Sequence, residues 1–187
     1  MADSNYDKTI NVLYMRIFLR PITLDDGSNI VKWRNDKDVR NHCMSRNSIT
    51  LESNRLFFEA YVATGKYKQF IVERIEEEFG VASYPIATVY LKDMDYGNKR
   101  CEFCIFTSND EEWSHDSQRI AIEMLLDKAF NEYGMHKVYS YVFSRFTNEQ
   151  ELLKKAGFKE EAVMKNEVMF EDDVYEDVIR FCVYNNR

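Results

Sequence analysis

Proline is nearly missing from this chain: Pro21 and Pro85 are the two in 187 residues. Repeats and low-complexity linkers are missing too, so nothing marks a boundary, and the sequence reads as one domain over 13–187 behind a loose tail at 1–12. Cysteine is scarce. Cys43, Cys101, Cys104 and Cys182 are too few and too unevenly spaced for a disulfide framework. Cys101-x-x-Cys104 has the spacing of a metal or redox pair, but on a strand residues three apart point to opposite faces, so structural thiols and no metal are expected. Apolar runs stay far below the roughly 20 residues that span a bilayer, and Met1 to Asp7 lacks a basic-then-apolar signal, which excludes a membrane partner and implies a cytoplasmic protein. Basic charge is also in deficit. With 25 basic against 32 acidic side chains, net −7, and no basic stripe interleaved with aromatics, a nucleic-acid partner is excluded and an amine-bearing one favoured.

What is present is a hydrophobic fraction of 45%, of which aromatics are a large part, enough to bury a core unaided. Met15 to Arg20 alternates apolar and basic residues and stops at Pro21, as a strand does. Thr23 with Asp25 and Asp26 opens a helix carrying Ile30, Val31 and Trp33, and Thr50 caps a second from Leu51 to Ala63, with Leu56, Phe57, Ala60 and Tyr61 on one side and Gly65 beyond its end. Strand patterns follow at Gln69 to Arg74, Ile86 to Leu91 and Cys101 to Thr107, an antiparallel meander by economy of connection. The strongest helical periodicity runs from Ser117 to Glu132 and stops before Gly134. A strand at Lys137 to Phe143, a short helix opened by the capping-box pattern Thr147-x-x-Gln150 and closed by Gly157, and a strand pair at Val163 to Phe170 and Asp177 to Tyr184 complete the chain.

Several segments carry a family likeness. Leu19-Arg20-Pro21, Asp25-Asp26 and Trp33-Arg34-Asn35-Asp36 are similar to the opening of ribosomal-protein, spermidine and amino-sugar-nucleotide N-acetyltransferases. Arg100 to Ile105 resembles the strand before that family's cofactor loop, Leu126 to Val138 its long-helix exit, Lys154-Lys155-Ala156-Gly157-Phe158 its Glu-Lys-x-Gly-Phe element, and Tyr175 to Val178 its closing strand. In this order the segments resemble the GNAT acyltransferases over about residues 16 to 184. The resemblance implies an α/β (α+β) fold, with a mixed, mostly antiparallel central sheet flanked by helices, and admits a homodimer. It also implies acetyl-CoA as co-substrate and acetyl transfer to the primary amine of a small molecule or a peptide N-terminus.

The same resemblance assigns the pantetheine arm to the main chain of Cys104, Ile105 and Phe106, and the cofactor phosphates to Ser114, His115, Ser117, Gln118 and Arg119. In the family that turn is rich in glycine, and backbone N–H groups at the helix start hold the anion. Here Trp113 to Gln118 contains no glycine, the Asp116 carboxylate stands near the phosphates, and Asp116 or Ser117 could cap the helix and consume donors. The family's proton-donating tyrosine corresponds to Leu153, which holds no proton to give. Tyr139 and Tyr141 are substitutes, or packing residues of the adjacent strand, and Glu102 is either the base or a solvent-facing strand residue. Trp33, Arg34, His42 and Met44 fall where relatives bind the acceptor, with Phe57, Phe58 and Tyr61 as further candidates. The altered turn and Leu153 also leave a second reading: a catalytically inactive binding protein of the same fold.

Overall fold

The computed structural model describes residues 16–76, 82–106, 108, 113–171 and 173–185. The expected tail at 1–12, Met15 and Thr107 lie outside them.

Seven strands form one sheet: β1 (Ile17–Pro21), β2 (Lys68–Glu76), β3 (Ala82–Asp95), β4 (Arg100–Phe106), β5 (Lys137–Phe143), β6 (Lys159–Glu171) and β7 (Val174–Tyr184), in the order β1-β2-β3-β4-β5-β7-β6. Every neighbouring pair is antiparallel except β4 and β5. The chain turns from β3 to β4 at Asp95, whose carboxylate accepts from the Asn98 backbone and side chain at 2.9 and 2.8 Å, as the Asp-Tyr-Gly-Asn stretch predicts.

Alternation along the strands puts helices on both faces. Phe70 and Val72 of β2 join the larger core, while Ile71 between them joins a smaller one with Ile22, Ile30 and Trp33. On that smaller face lie α1 (Gly27–Asn35), entered through a 3₁₀ turn at Leu24–Asp26, then α2 (Lys37–Asn41) and α3 (Leu51–Phe57), which continues as one π-wound turn at Phe58–Val62. On the larger face α4 (His115–Asp127), also extended by a π-wound turn at Lys128–Glu132, buries Ile120, Ala121, Ile122 and Leu125 completely. The last helix, α5 (Thr147–Lys155), adds Leu152 and Leu153.

Three local readings change. The long helix starts at His115, two residues early, because Ser114 is its cap and accepts from the Ser117 N–H at 3.3 Å; neither Asp116 nor Ser117 fills that role. Thr147 is already helical, with Phe146 at the cap position, and Gln150 reaches back to the Ser144 carbonyl at 2.9 Å in place of a capping box. The expected apolar side of α3 is not buried: Leu56 is 52% and Tyr61 42% exposed, while Phe58 and Val62 reach the Ile22 core. The short helix α2 had no apolar period to announce it; Asp36 creates it by accepting from Asp38 and Val39 N–H at 2.9 and 3.2 Å.

Candidate active site

Parallel pairing between β4 and β5 lasts for three positions, Arg100 with Lys137, Cys101 with Val138 and Glu102 with Tyr139. Beyond Glu102 the strands part. Opposite this point β3 carries a bulge between Lys92 and Asp95, with Asp93 at φ 50°. The opening is a cavity of about 270 Å³ lined on one wall by Glu102, Cys104, Ile105 and Phe106, and on the other by Tyr141 and Phe143. Residues 103–106 keep their bonds to β3 but have no ladder partner toward β5, so a free polar edge faces an apolar space. That edge fits the amide-bearing arm of a coenzyme A thioester.

Because β3 and β4 are in register, Tyr90 lies opposite Cys104 and Lys92 opposite Glu102, and all four side chains share one face. Glu102, 8% exposed, accepts from Lys92 Nζ at 3.0 Å and from Cys104 Sγ at 3.2 Å on the same Oε1. Burial works against the Lys92 ammonium, but the neighbouring Cys104 and Glu102 outweigh it and hold its pKa above the ordinary lysine range. Burial pushes the Cys104 thiol and the Tyr90 hydroxyl well up, so both keep their protons.

The outer wall comes from the α1–α2 segment. Arg34 and His42 line the cavity with Met44, and Arg34 is 8% exposed. Its Nη2 donates to the Ser45 carbonyl, its guanidinium stands 5.9 Å from the Phe106 ring centre, and its Nη1 is buried without a partner among the described residues. His42 stacks on Phe146 at 3.7 Å between ring centres and places Nδ1 2.9 Å from Glu149 Oε1. Burial raises the Glu149 carboxyl, yet the bond to His42 prevails and leaves it below the usual range.

The structure brings Glu102, Cys104, Ile105, Phe106, Tyr141, Arg34, His42, Met44 and Gln118 together around this cavity and leaves others apart. Trp33 does not reach it: the indole is packed with Ile22, Ile30 and Ile71, where an apolar ring gains most by burial. Tyr139 is not in the lining either. It sits at the last paired position, opposite Glu102 and before the strands part, under the Arg180 guanidinium at 4.2 Å, and burial with the charges of Glu102 and Asp93 pushes its hydroxyl up to about 12. Phe57 and Tyr61 form an aromatic group with Tyr67. Leu153 is 4% exposed in the larger core and lines the cavity as a purely apolar surface. Sequence reasoning missed Tyr90, Lys92 and Glu149. The first two alternate correctly within β3, but their register against Glu102 is not written in the strand itself.

At the start of α4, Ser114 takes the Ser117 N–H and Gln118 Nε2 donates to the Trp113 carbonyl at 2.9 Å. The N–H groups of His115 and Asp116 have no protein partner among the described residues. A neighbouring hollow is lined by His115, Asp116, Arg119, Asn148, Glu151 and Lys155. Two open donors, a helix start and the cations Arg119 and Lys155 suit a pyrophosphate; the exposed Asp116 carboxylate opposes it. Asp116→Asn should therefore tighten acetyl-CoA binding about 2- to 5-fold, the size of one screened charge in a helix's first turn, as read by calorimetry. Weaker binding would mean that the carboxylate orders this turn.

Comparison with known proteins agrees with this geometry. The family model described as an acetyltransferase (GNAT) domain matches residues 16–159. The chain belongs to this family, and is thereby an N-acetyltransferase with acetyl-CoA as co-substrate. Comparison with curated proteins by sequence finds no match. Among solved structures the fold is similar to the spermidine N-acetyltransferase from Vibrio cholerae in complex with CoA and spermine, at 21% identity and TM-score 0.82, covering 91% of this chain and 96% of that one. A dodecameric form of that enzyme in an intermediate state aligns at 22% identity and TM-score 0.75, covering 91% and 94%. Among the described residues no helix is long and apolar enough to cross a membrane, and no group of three or more His, Cys, Asp or Glu is placed to hold a metal.

Proposed function

We propose that this chain transfers the acetyl group of acetyl-CoA to the primary amine of a small molecule, with Glu102 as base and Tyr141 as proton source. The observation that carries the reading is the opening of β4 from β5 directly after Glu102, which sets a carboxylate at the closed end of a free strand edge. An acetyl thioester laid along that edge presents its carbonyl near Glu102, and the amine enters from the side of Arg34, His42 and Met44. The Lys92 ammonium beside Glu102 disfavours a second positive charge, so the incoming amine is held neutral and nucleophilic. As nitrogen attacks the carbonyl and the carbon–sulfur bond breaks, the amine's proton passes to Glu102, directly or through a water, and the departing thiolate takes one from Tyr141. Phosphates of the co-substrate fall to the open N–H groups of His115 and Asp116 and to Arg119 around the Ser114-capped turn, while Ser117, buried with its N–H on Ser114, and Gln118, whose amide is on the Trp113 carbonyl, lie outside that hollow.

Calorimetric titration with acetyl-CoA and with coenzyme A, followed by thiol release on a panel of amines and short peptides, tests this. Micromolar binding and amine-dependent thiol release are expected. Release with peptides alone would move the acceptor to a protein N-terminus. Absence of binding at millimolar acetyl-CoA would sink the enzymatic reading and leave the inactive binding protein.

A further inference from the structure

The ionisable groups lining the cavity are unequal in one respect. Lys92 is paired with Glu102 and His42 Nδ1 with Glu149, so each carboxylate in the lining already has a polar partner. Arg34 has no carboxylate partner among the described residues. Its Nη2 is held by a neutral carbonyl, that of Ser45, and its Nη1 is buried with no acceptor although nothing about arginine lets it shed its charge. A buried charged donor without a protein acceptor is costly and needs a water or a ligand to complete it, and among the described residues Arg34 is the one such donor in the cavity lining. A second arginine repeats the pattern alongside. Arg46 donates through Nη1 to the Met169 and Phe170 carbonyls at 3.2 and 3.0 Å and lies 4.4 Å from the Phe170 ring centre, while its Nε and Nη2 are buried and unpartnered. Arg46 stands outside the cavity lining, over the rings of Phe143 and Phe170 that Arg145 also covers, so at the acceptor end itself Arg34 is the cation without a paired carboxylate among the described residues.

We infer that the acceptor carries an anionic group, a carboxylate or a phosphate, beside its amine, and that Arg34 Nη1 receives it. This rests on the acetyl-transfer reading above and narrows its substrate class. A polyamine would bring further ammonium groups toward the uncompensated Arg34 guanidinium and find both lining carboxylates, Glu102 and Glu149, already engaged. An anion relieves both problems. The free donor is a single nitrogen of a planar fork held in place by Ser45, so it adds direction as well as charge.

The test has a binding arm and a turnover arm, both on the full chain. In the first, protein saturated with coenzyme A, which occupies the phosphate turn, is titrated by calorimetry with inorganic phosphate, acetate and spermidine. Phosphate or acetate should bind, and Arg34→Gln should weaken that binding at least about 10-fold, with partial recovery in Arg34→Lys. In the second arm, thiol release is compared for glucosamine against glucosamine 6-phosphate and for β-alaninamide against β-alanine. The anionic member of the favoured pair should have a kcat/KM about 10- to 100-fold higher, and that advantage should vanish in Arg34→Gln. The better of the two pairs tells phosphate from carboxylate. Preference for spermidine or for the neutral amines, or anion binding that survives Arg34→Gln, overturns the inference while leaving acetyl transfer intact. If coenzyme A does not bind, the parent reading falls, and the anion titration on the unliganded chain still decides the role of Arg34. Should Arg34→Gln fail to fold, the wild-type preference between paired amines decides alone.

Discussion

Glu102→Gln should lower kcat by a factor of about 10² to 10⁴ and leave acetyl-CoA affinity nearly unchanged, because a base acts on the chemical step. Glutamine preserves the volume and still offers an oxygen to Lys92 and Cys104, so the cavity keeps its shape. What is lost is the ability to take a proton. The substitution also leaves the half-buried Lys92 ammonium without its countercharge, which by itself costs stability. Thermal unfolding of Glu102→Gln beside a Glu102→Gln/Lys92→Met pair separates the two effects: the second change should recover stability but not turnover. Unchanged kcat in the single variant would remove Glu102 from the mechanism and direct attention to a water held elsewhere in the cleft.

Arg20→Met should destabilise the fold by about 3 kcal/mol at neutral pH, lowering Tm by roughly 6–12 °C for a domain of this size. Arg20 bridges β1 to the turn before α1 and to β2: Nη1 and Nη2 lie 2.8 and 2.6 Å from the two Asp26 carboxylate oxygens, and Nε 2.8 Å from Glu73 Oε1. Asp26 and Glu73 are only 5% and 4% exposed, so removing the guanidinium strands two buried carboxylates. The pH dependence follows from Asp26. Burial raises its carboxyl, but the bonds from Arg20 and Thr23 outweigh burial and hold it below the ordinary carboxylate range. A depressed folded value means that the wild type keeps this stabilisation above the unfolded carboxylate pKa, about 3.9, and loses it as pH falls through the folded one. In Arg20→Met the stranded carboxylates gain from protonation. The difference between the two proteins should therefore shrink on acidification, as read by urea unfolding at pH 7 and near pH 4. A difference that stays constant would place the cost in lost packing of the arginine stem.

The elements were legible wherever one residue forces a backbone choice or a period of two or 3.6 repeats. Gly65, Gly134 and Gly157 all take positive φ beyond helix ends, as chain punctuation demands. The capping residue of α4 was not legible, because Ser114, Asp116 and Ser117 all carry an oxygen suited to the role; the direction of the chain arriving from Trp113, buried at 4%, selects Ser114. Trp33 and Arg34 show the same limit within the site. Adjacent on one helix, both were candidates for the acceptor wall, and about 100° of helical rotation sends one into the core and the other to the cavity.

From its own sequence, then, this chain determined its strands and helices, their order and the family to which that order belongs, since these rest on local periodicity, turn residues and short ordered motifs. The tertiary structure alone decided which polar groups meet. Lys92 finds Glu102 through the register of β3 on β4, His42 finds Glu149 across the cleft, and Arg34 finds no carboxylate among the described residues. Charge and identity are properties of single residues, but pairing is a matter of distance. Distances between residues far apart in sequence are set by how the strands align and where β4 and β5 separate.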